Sequence, residues 1–357
     1  MSTFVSGAEL SRRLYEQVVQ PVMTSRLPGL PHSAALLGRG SEVLGFDDEM
    51  SSDHDWKPRV LIFIAEKDEP RHVEVGDELQ RNLPPTFEGH PIGHEVHTVR
   101  GYVRQQFEMD IDGDIEPRDW LTLPEHALRM FTSGVVFHDE VGLQAARDRL
   151  AFYPHDVWLY LLIAGWWRVH PEMNLVGRAG TAGDELGSAL IGSRLVVDLM
   201  RLAFLMERQY APYSKWFGTA FSRLACGSEL TPVLWNVGRA EGWQEREEAL
   251  LAAYERLVLM HNGLGLTPPV MTEIVQLWDR PFKVAWADIP ALLLPLIRDP
   301  AVVSIAQRWP VGPVDQFREL FWAPKNRPLL LRLFDESGAY ARPTSAGGPS
   351  GAAHPER

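Results

Sequence analysis

The texture of this 357-residue chain changes at Pro154, and that change restricts the fold to few layouts. Before it, short apolar runs rich in β-branched residues alternate with stretches of helical periodicity. After it, helical periodicity dominates 155–170, 186–209, 214–225 and 243–262, and strand signals vanish. In the first part, Leu10, Leu14, Val18 and Val22 fall at helical spacing over residues 7–26, and Pro28 and Pro31 end that helix. Ala34 to Leu37 is a short apolar element. Pro58 to Ala65 (PRVLIFIA) reads as a buried strand, His94 to Val103 as a second and Ser133 to His138 as a further one. Val73 to Leu83 reads as a helix stopped by Pro84-Pro85, and another helix starts near Leu143. The fold class is therefore α+β: a small α/β domain over residues 1–150, then an all-helical domain over 151–336. Residues 337–357, rich in Gly, Pro, Ser and Ala, read as a disordered tail. No internal repeat is found.

Charge narrows the function. The formal net charge is -12, from 47 acidic and 35 basic residues. Such a surface repels a nucleic-acid backbone, so a small-molecule acceptor is the better expectation. Cys226 is the single cysteine, which excludes an intramolecular disulfide and a cysteine-clustered zinc site. Glu9, Arg12 and Arg13 stand where a signal peptide would need an apolar run, so the cytoplasm is the expected compartment. The apolar run Val157 to Trp167 (VWLYLLIAGWW) is far shorter than the about 20 residues of a bilayer span. It predicts a buried core helix and no membrane association.

Gly40-Ser41 is followed, after eleven residues, by Asp53-His54-Asp55-Trp56. A Gly-Ser turn can offer backbone amides and a hydroxyl to a triphosphate, with Arg39 adding charge. Two carboxylates at i and i+2 on a strand share a face, where hard oxygen ligands suit Mg²⁺. That makes Asp53 and Asp55 candidate metal ligands for in-line attack on a phosphoryl group. Glu95, in HEVHTV, is a candidate third ligand or general base on a neighbouring strand. Its side chain shares a face with that of His97. His94 and His97 miss the His-Glu-x-x-His zinc spacing by one residue and read as ordinary strand residues.

This pattern resembles the signature of the polymerase-β-type nucleotidyltransferase superfamily, in which a Gly-Gly/Ser turn precedes an Asp-x-Asp strand. The layout is similar to that of aminoglycoside nucleotidyltransferases, with a mixed-sheet catalytic domain joined to a helical domain. More narrowly, GSEVLGFDDEMSSDHDW, GVVFHD, YPHDVW and YAPYSKWFG resemble a bacterial family known as the domain of unknown function 4037. The resemblance implies phosphate contacts from Gly40 and Ser41, and metal ligation by Asp53 and Asp55, with Glu95 as the third carboxylate. It also implies a helical-domain lysine facing the phosphates. Lys215, in YAPYSKWFG, is the candidate; the alternative is a plain surface lysine. Arg178 and Arg194 are further candidates for that cleft. Two departures stand out: His54 fills a slot that is usually apolar, and Trp56 follows the aspartates.

Other motifs carry less. Asp110-Ile-Asp112-Gly-Asp114 puts its glycine where a calcium loop does not, and reads as a polar turn. The glycines of 177–187 lack the Gly-Lys-Ser/Thr ending of a phosphate loop and read as a break between helices, with Asp184-Glu185 starting the next. Ser214 is the expected cap of the helix after Pro212. The expected function is transfer of a nucleoside monophosphate from an NTP, ATP foremost, to a hydroxyl or amine of a small acceptor. Two alternatives remain: an inactive nucleotide-binding regulatory protein on the same scaffold, or a modifier of tRNA or protein.

Overall fold

The computed structural model describes residues 4–53, 56–308, 312–315 and 327–331. The tail predicted from residue 337 lies outside the described residues. The chain opens with a helical arm made of α1 (Gly7–Leu14), a π-helical turn (Tyr15–Val19) and α2 (Gln20–Arg26). The π turn inserts one extra residue, so the buried stripe steps from Leu10 and Leu14 to Val19 and Met23, not to the predicted Val18 and Val22.

There follow β1 (His32–Leu36), α3 (Ser41–Leu44), β2 (Arg59–Ile64) and α4 (His72–Asn82). A short ribbon, β3 (Thr86–Phe87) and β4 (His90–Pro91), leads to β5 (Gly93–Thr98) and α5 (Val99–Phe107). Helices α6 (Pro117–Thr122) and α7 (Glu125–Thr132), strand β6 (Val135–His138) and helix α8 (Leu143–Arg149) complete the first half. The main sheet is mixed, in the order β5-β2-β1-β6. β1 runs antiparallel to β2 and β6, while β2 and β5 are parallel, joined by the crossover that contains α4.

Both faces of β2 are covered, which is why it reads as an unbroken apolar run. Val60, Ile62 and Ile64 pack against the N-terminal arm and α4, and Leu61 and Phe63 face the opposite way. That second face opens into a core continuous with the helical half, uniting Phe63 and Phe131 with Trp166 and Tyr254.

The second half holds α9 (His155–Thr181), α10 (Glu185–Met206), α11 (Ser214–Ser222), α12 (Gly227–Arg239) and α13 (Trp243–Gly263). Then come the ribbon β7 (Glu273–Gln276) and β8 (Lys283–Trp286), with α14 (Ile289–Leu293), α15 (Pro300–Arg308) and α16 (Arg327–Leu331). The apolar run 157–167 lies inside α9, buried from Val157 to Trp166. No helix among the described residues is long and apolar enough to cross a membrane.

Four local readings are corrected. The predicted strand 94–103 ends at Thr98, whose hydroxyl accepts from the Gly101 amide (3.0 Å) and caps α5. Val99, Tyr102, Val103 and Phe107 are the buried stripe of that helix. The helical half also contains the β7–β8 ribbon, invisible to patterning because all four β7 residues are exposed. Helix α12 was hidden by its internal Pro232. Lastly, Gly177 and Gly180 do not break a helix but lie within α9. A Cβ at Gly177 would stand 2.3 Å from the Cβ of Phe282, and one at Gly180 would stand 2.1 Å from Cγ of Trp243. These glycines permit close packing. The break comes at residues 182–184, and Asp184 caps α10 through the Gly187 amide (2.7 Å), as its position predicts.

Candidate active site

β1 ends in a turn that only glycine serves easily. Gly38 and Gly40 have φ of +90° and +131°, and a Cβ at Gly40 would lie 2.3 Å from the Glu42 carboxylate. The turn wraps around that carboxylate. Glu42 is buried and ion-paired with Arg59, the first residue of β2. The same guanidinium donates to the carbonyl of Arg39, and at 3.4 Å to that of Leu37. Burial raises the Glu42 pKa while Arg59 opposes the rise, and Glu42 Oε2 has no hydrogen-bond partner. Arg59 thus fastens the Gly-Ser turn to the sheet. Neither Glu42 nor Arg59 was singled out from sequence. The available signal was a lone charge at the head of an otherwise apolar strand.

A cleft of about 910 Å³ opens over this turn. Gly40, Ser41 and Arg39 line it from the turn, Glu95 from β5, and Lys215 from the start of α11. The parallel register sets Glu95 beside Leu61, which lines the same cleft. Glu95 Oε2 lies 2.9 Å from Nε2 of His97, and this hydrogen bond holds the Glu95 carboxyl below its ordinary pKa. His97, read as an ordinary strand residue, therefore orients Glu95. Four cationic side chains, Arg39, Lys57, Arg59 and Lys215, line the cleft of a chain that is acidic as a whole.

The cleft is closed from the helical half. Lys215 Nζ sits 4.9 Å from the Trp216 ring centroid, and Trp216 stacks on Phe46 at 5.4 Å. Arg223 covers the other contact, 4.5 Å from the Phe46 ring and donating to the Gly45 carbonyl at 2.7 Å. Ser214 does not cap α11: the cap position is Tyr213, without a side-chain hydrogen bond. Arg178 and Arg194 do not line the cleft. Arg194 pairs with Glu172 on the neighbouring helix, and Arg178 lies near Asn174 of its own helix.

Asp53 does not lie on the predicted strand. Asp53 closes a 3₁₀ turn (Met50–Asp53), and the strand begins only at Arg59. The Asp53 side chain and residues 54 and 55, including Asp55, lie outside the described residues. Ser51 and Trp56, on either side, both line the cleft. Asp48 and Ser51 bond to each other's amides at 2.7 and 2.8 Å. Trp56 is buried, and its Nε1 donates to Asp47 Oδ2 at 3.1 Å. The tryptophan that departs from the superfamily pattern is thus an anchor. At the acidic turn 110–114, Arg100 pairs with Asp110 and lies 3.8 Å from Asp112, which fits its reading as a polar turn.

No curated protein sequence matches the chain. Among solved structures, a nucleotidyltransferase-like protein from Exiguobacterium sibiricum 255-15 is similar over 76% of this chain and 98% of its own, with 11% identity and a TM-score of 0.31. The family similarity lies between α6 and α11, a stretch that includes GVVFHD and YPHDVW: residues 120–217 match the family model of DUF4037, a domain of unknown function.

Proposed function

We propose that the protein is a Mg²⁺-dependent nucleotidyltransferase that moves a nucleoside monophosphate from an NTP, ATP foremost, to a hydroxyl or amine of a small acceptor. One observation carries the reading. The Gly-Ser turn, Glu95 and Lys215 come from three distant parts of the chain and line one cleft. Arg39, Lys57 and Lys215 suit a triphosphate, Arg59 being committed to Glu42, and Tyr213 and Trp216 offer rings for a base or acceptor to stack on.

The oxygen donors of Asp53, Asp55 and Glu95 suit Mg²⁺, which would neutralise phosphate charge and align the reacting groups. The acceptor attacks the α-phosphorus, and the bond from that phosphorus to the bridging oxygen breaks. Pyrophosphate leaves with the electron pair, and the acceptor's proton passes to Glu95 if that residue acts as base, and otherwise to solvent water. Of the two roles open to Glu95, metal ligation is favoured: the His97 hydrogen bond that keeps it ionised also weakens it as a proton acceptor. Amides of the Gly-Ser turn and the cations hold the departing phosphates. An uncharged or cationic acceptor best tolerates the acidic surface.

The test is calorimetric titration of ATP, CTP, GTP and UTP with Mg²⁺ on the wild type and on Asp53→Asn/Asp55→Asn, followed by pyrophosphate release with an acceptor panel. Metal-dependent binding that the double variant loses is the expected result. Binding without pyrophosphate release across the panel would favour the regulatory alternative. No binding of any of the four would reject the nucleotide site itself.

A further inference from the structure

A second polar cluster lies at the far end of β1 from the cleft. His32 opens β1, and antiparallel pairing with β6 sets His138 opposite Ala34. The His32 and His138 rings are 4.8 Å apart, and Glu140 follows two residues later. One ligand atom from each of His32, His138 and Glu140 falls within 4.8 Å of the other two. We propose that these three residues form a transition-metal site, with zinc as its first occupant, separate from the nucleotide cleft.

The donor set chooses the metal. Two imidazoles and one carboxylate suit zinc, whereas Mg²⁺ and Ca²⁺ call for oxygen donors alone. Tetrahedral zinc with bonds of about 2.0–2.1 Å holds neighbouring donors about 3.3–3.4 Å apart. His138 Nε2 and Glu140 Oε2 are already 3.3 Å apart. His32 Nδ1 lies 3.4 Å from the Leu30 carbonyl, a contact it can make only as the protonated nitrogen. Nε2 of His32 then keeps its lone pair, presently engaged by the Tyr15 hydroxyl at 3.1 Å.

A rigid outer frame holds the ligands. Asp139, between His138 and Glu140, accepts from Ser33 Oγ and from the amides of Gly142, Leu143 and Gln144. Ser33 Oγ in turn receives the amides of Glu140 (3.2 Å) and Val141 (3.1 Å). The ligand-bearing turn is thereby fixed to β1, the kind of support that orients metal ligands. Three protein ligands leave a fourth position for water or a partner group. Bound metal would clamp β1 to the end of β6.

The test is titration of ZnCl₂ into the full chain after chelator treatment and dialysis, read by competition with a chromogenic chelator and by thermal shift. One equivalent should bind and raise the melting temperature. His138→Ala and Glu140→Gln, both at partly exposed side chains, should each weaken binding at least tenfold while retaining the fold. His32→Ala is a poorer probe because the residue is buried. Absence of zinc binding would overturn the proposal. So would equal affinity in the His138 and Glu140 variants, or binding that disappears in Glu95→Gln and so belongs to the cleft. Nucleotide titration of the same variants separates this site from the transferase reading, since neither residue lines the cleft.

Discussion

At its C-terminal end β1 runs into Gly38 and Gly40 and a cleft lined by Arg39, Lys57, Arg59 and Lys215, whereas at its N-terminal end His32 meets His138 and Glu140. Four fully buried residues, Ser33, Ala34, Ala35 and Leu36, separate surroundings of opposite chemistry: cations suited to a polyanion, and imidazoles with a carboxylate suited to a cation. The strand interior from Ala34 to Leu36 is committed to packing on both faces, and its one polar residue, Ser33, serves the histidine end. At its ends the ladder stops, and glycine turns and neighbouring strands can bring polar groups together. The ends differ in assembly as well. The histidine end is local to β1, β6 and one turn. The cleft needs the first strand, β5 and the helical half at once.

That difference can be broken at several points. After loss of metal-dependent NTP binding in the Asp53/Asp55 double variant, the largest expected effect is at Glu95. Glu95→Gln should lower the transfer rate about 10²- to 10⁴-fold. If Glu95 is a metal ligand, raised Mg²⁺ recovers part of the rate; if it is the base, the loss persists at saturating Mg²⁺. An unchanged rate would remove Glu95 from the site. Zinc binding at the other end should be untouched.

Next is Arg59→Met, which leaves Glu42 buried without its cation and should cost about 3–5 kcal/mol in denaturant unfolding. Adding Glu42→Gln should return part of that loss. Strict additivity of the two changes would show that the pair does not hold the Gly-Ser turn.

Glu125, at the start of α7, sets a pH-dependent baseline for stability measured at either end. Burial raises its pKa to about 7, with Asp315 opposing ionisation and Arg201 and Arg129 favouring it. In the unfolded chain it titrates near its ordinary value, about 4.3. The folded state therefore holds the extra proton between these values. Its contribution is full below the unfolded pKa and is lost as pH rises toward 7. Melting temperature should fall across that window, and Glu125→Gln should flatten the slope. An unchanged slope would assign it to other groups.

The smallest effect expected is from Lys215→Ala, about a tenfold loss of NTP affinity, or about 1.4 kcal/mol. Equal affinity would leave Lys215 as a surface lysine resting on Trp216.

Much of the fold was legible because each signal is local. The PRVLIFIA run and the helical arm follow from periodicity and side-chain branching, which act within one or two turns of chain. The readings that failed are those in which a distant residue decided. Gly177 and Gly180 looked like punctuation because Phe282 and Trp243, which need their missing side chains, are far along the chain. The β7–β8 ribbon has an exposed strand with no apolar alternation to read. Helical spacing from Val99 to Phe107 was masked by the β-branched residues before it.

The sequence by itself determined the α+β class, the Gly-Ser turn and the residue types on which the proposed phosphate and metal contacts rest. Those depend on composition and on short spacings. Only the tertiary structure decided that Arg39, Glu95 and Lys215 share a cleft, that Arg59 and Glu42 hold the turn, and that His32 meets His138. Such meetings depend on strand register and helix docking, which are set by how the whole core packs and are written in no single segment.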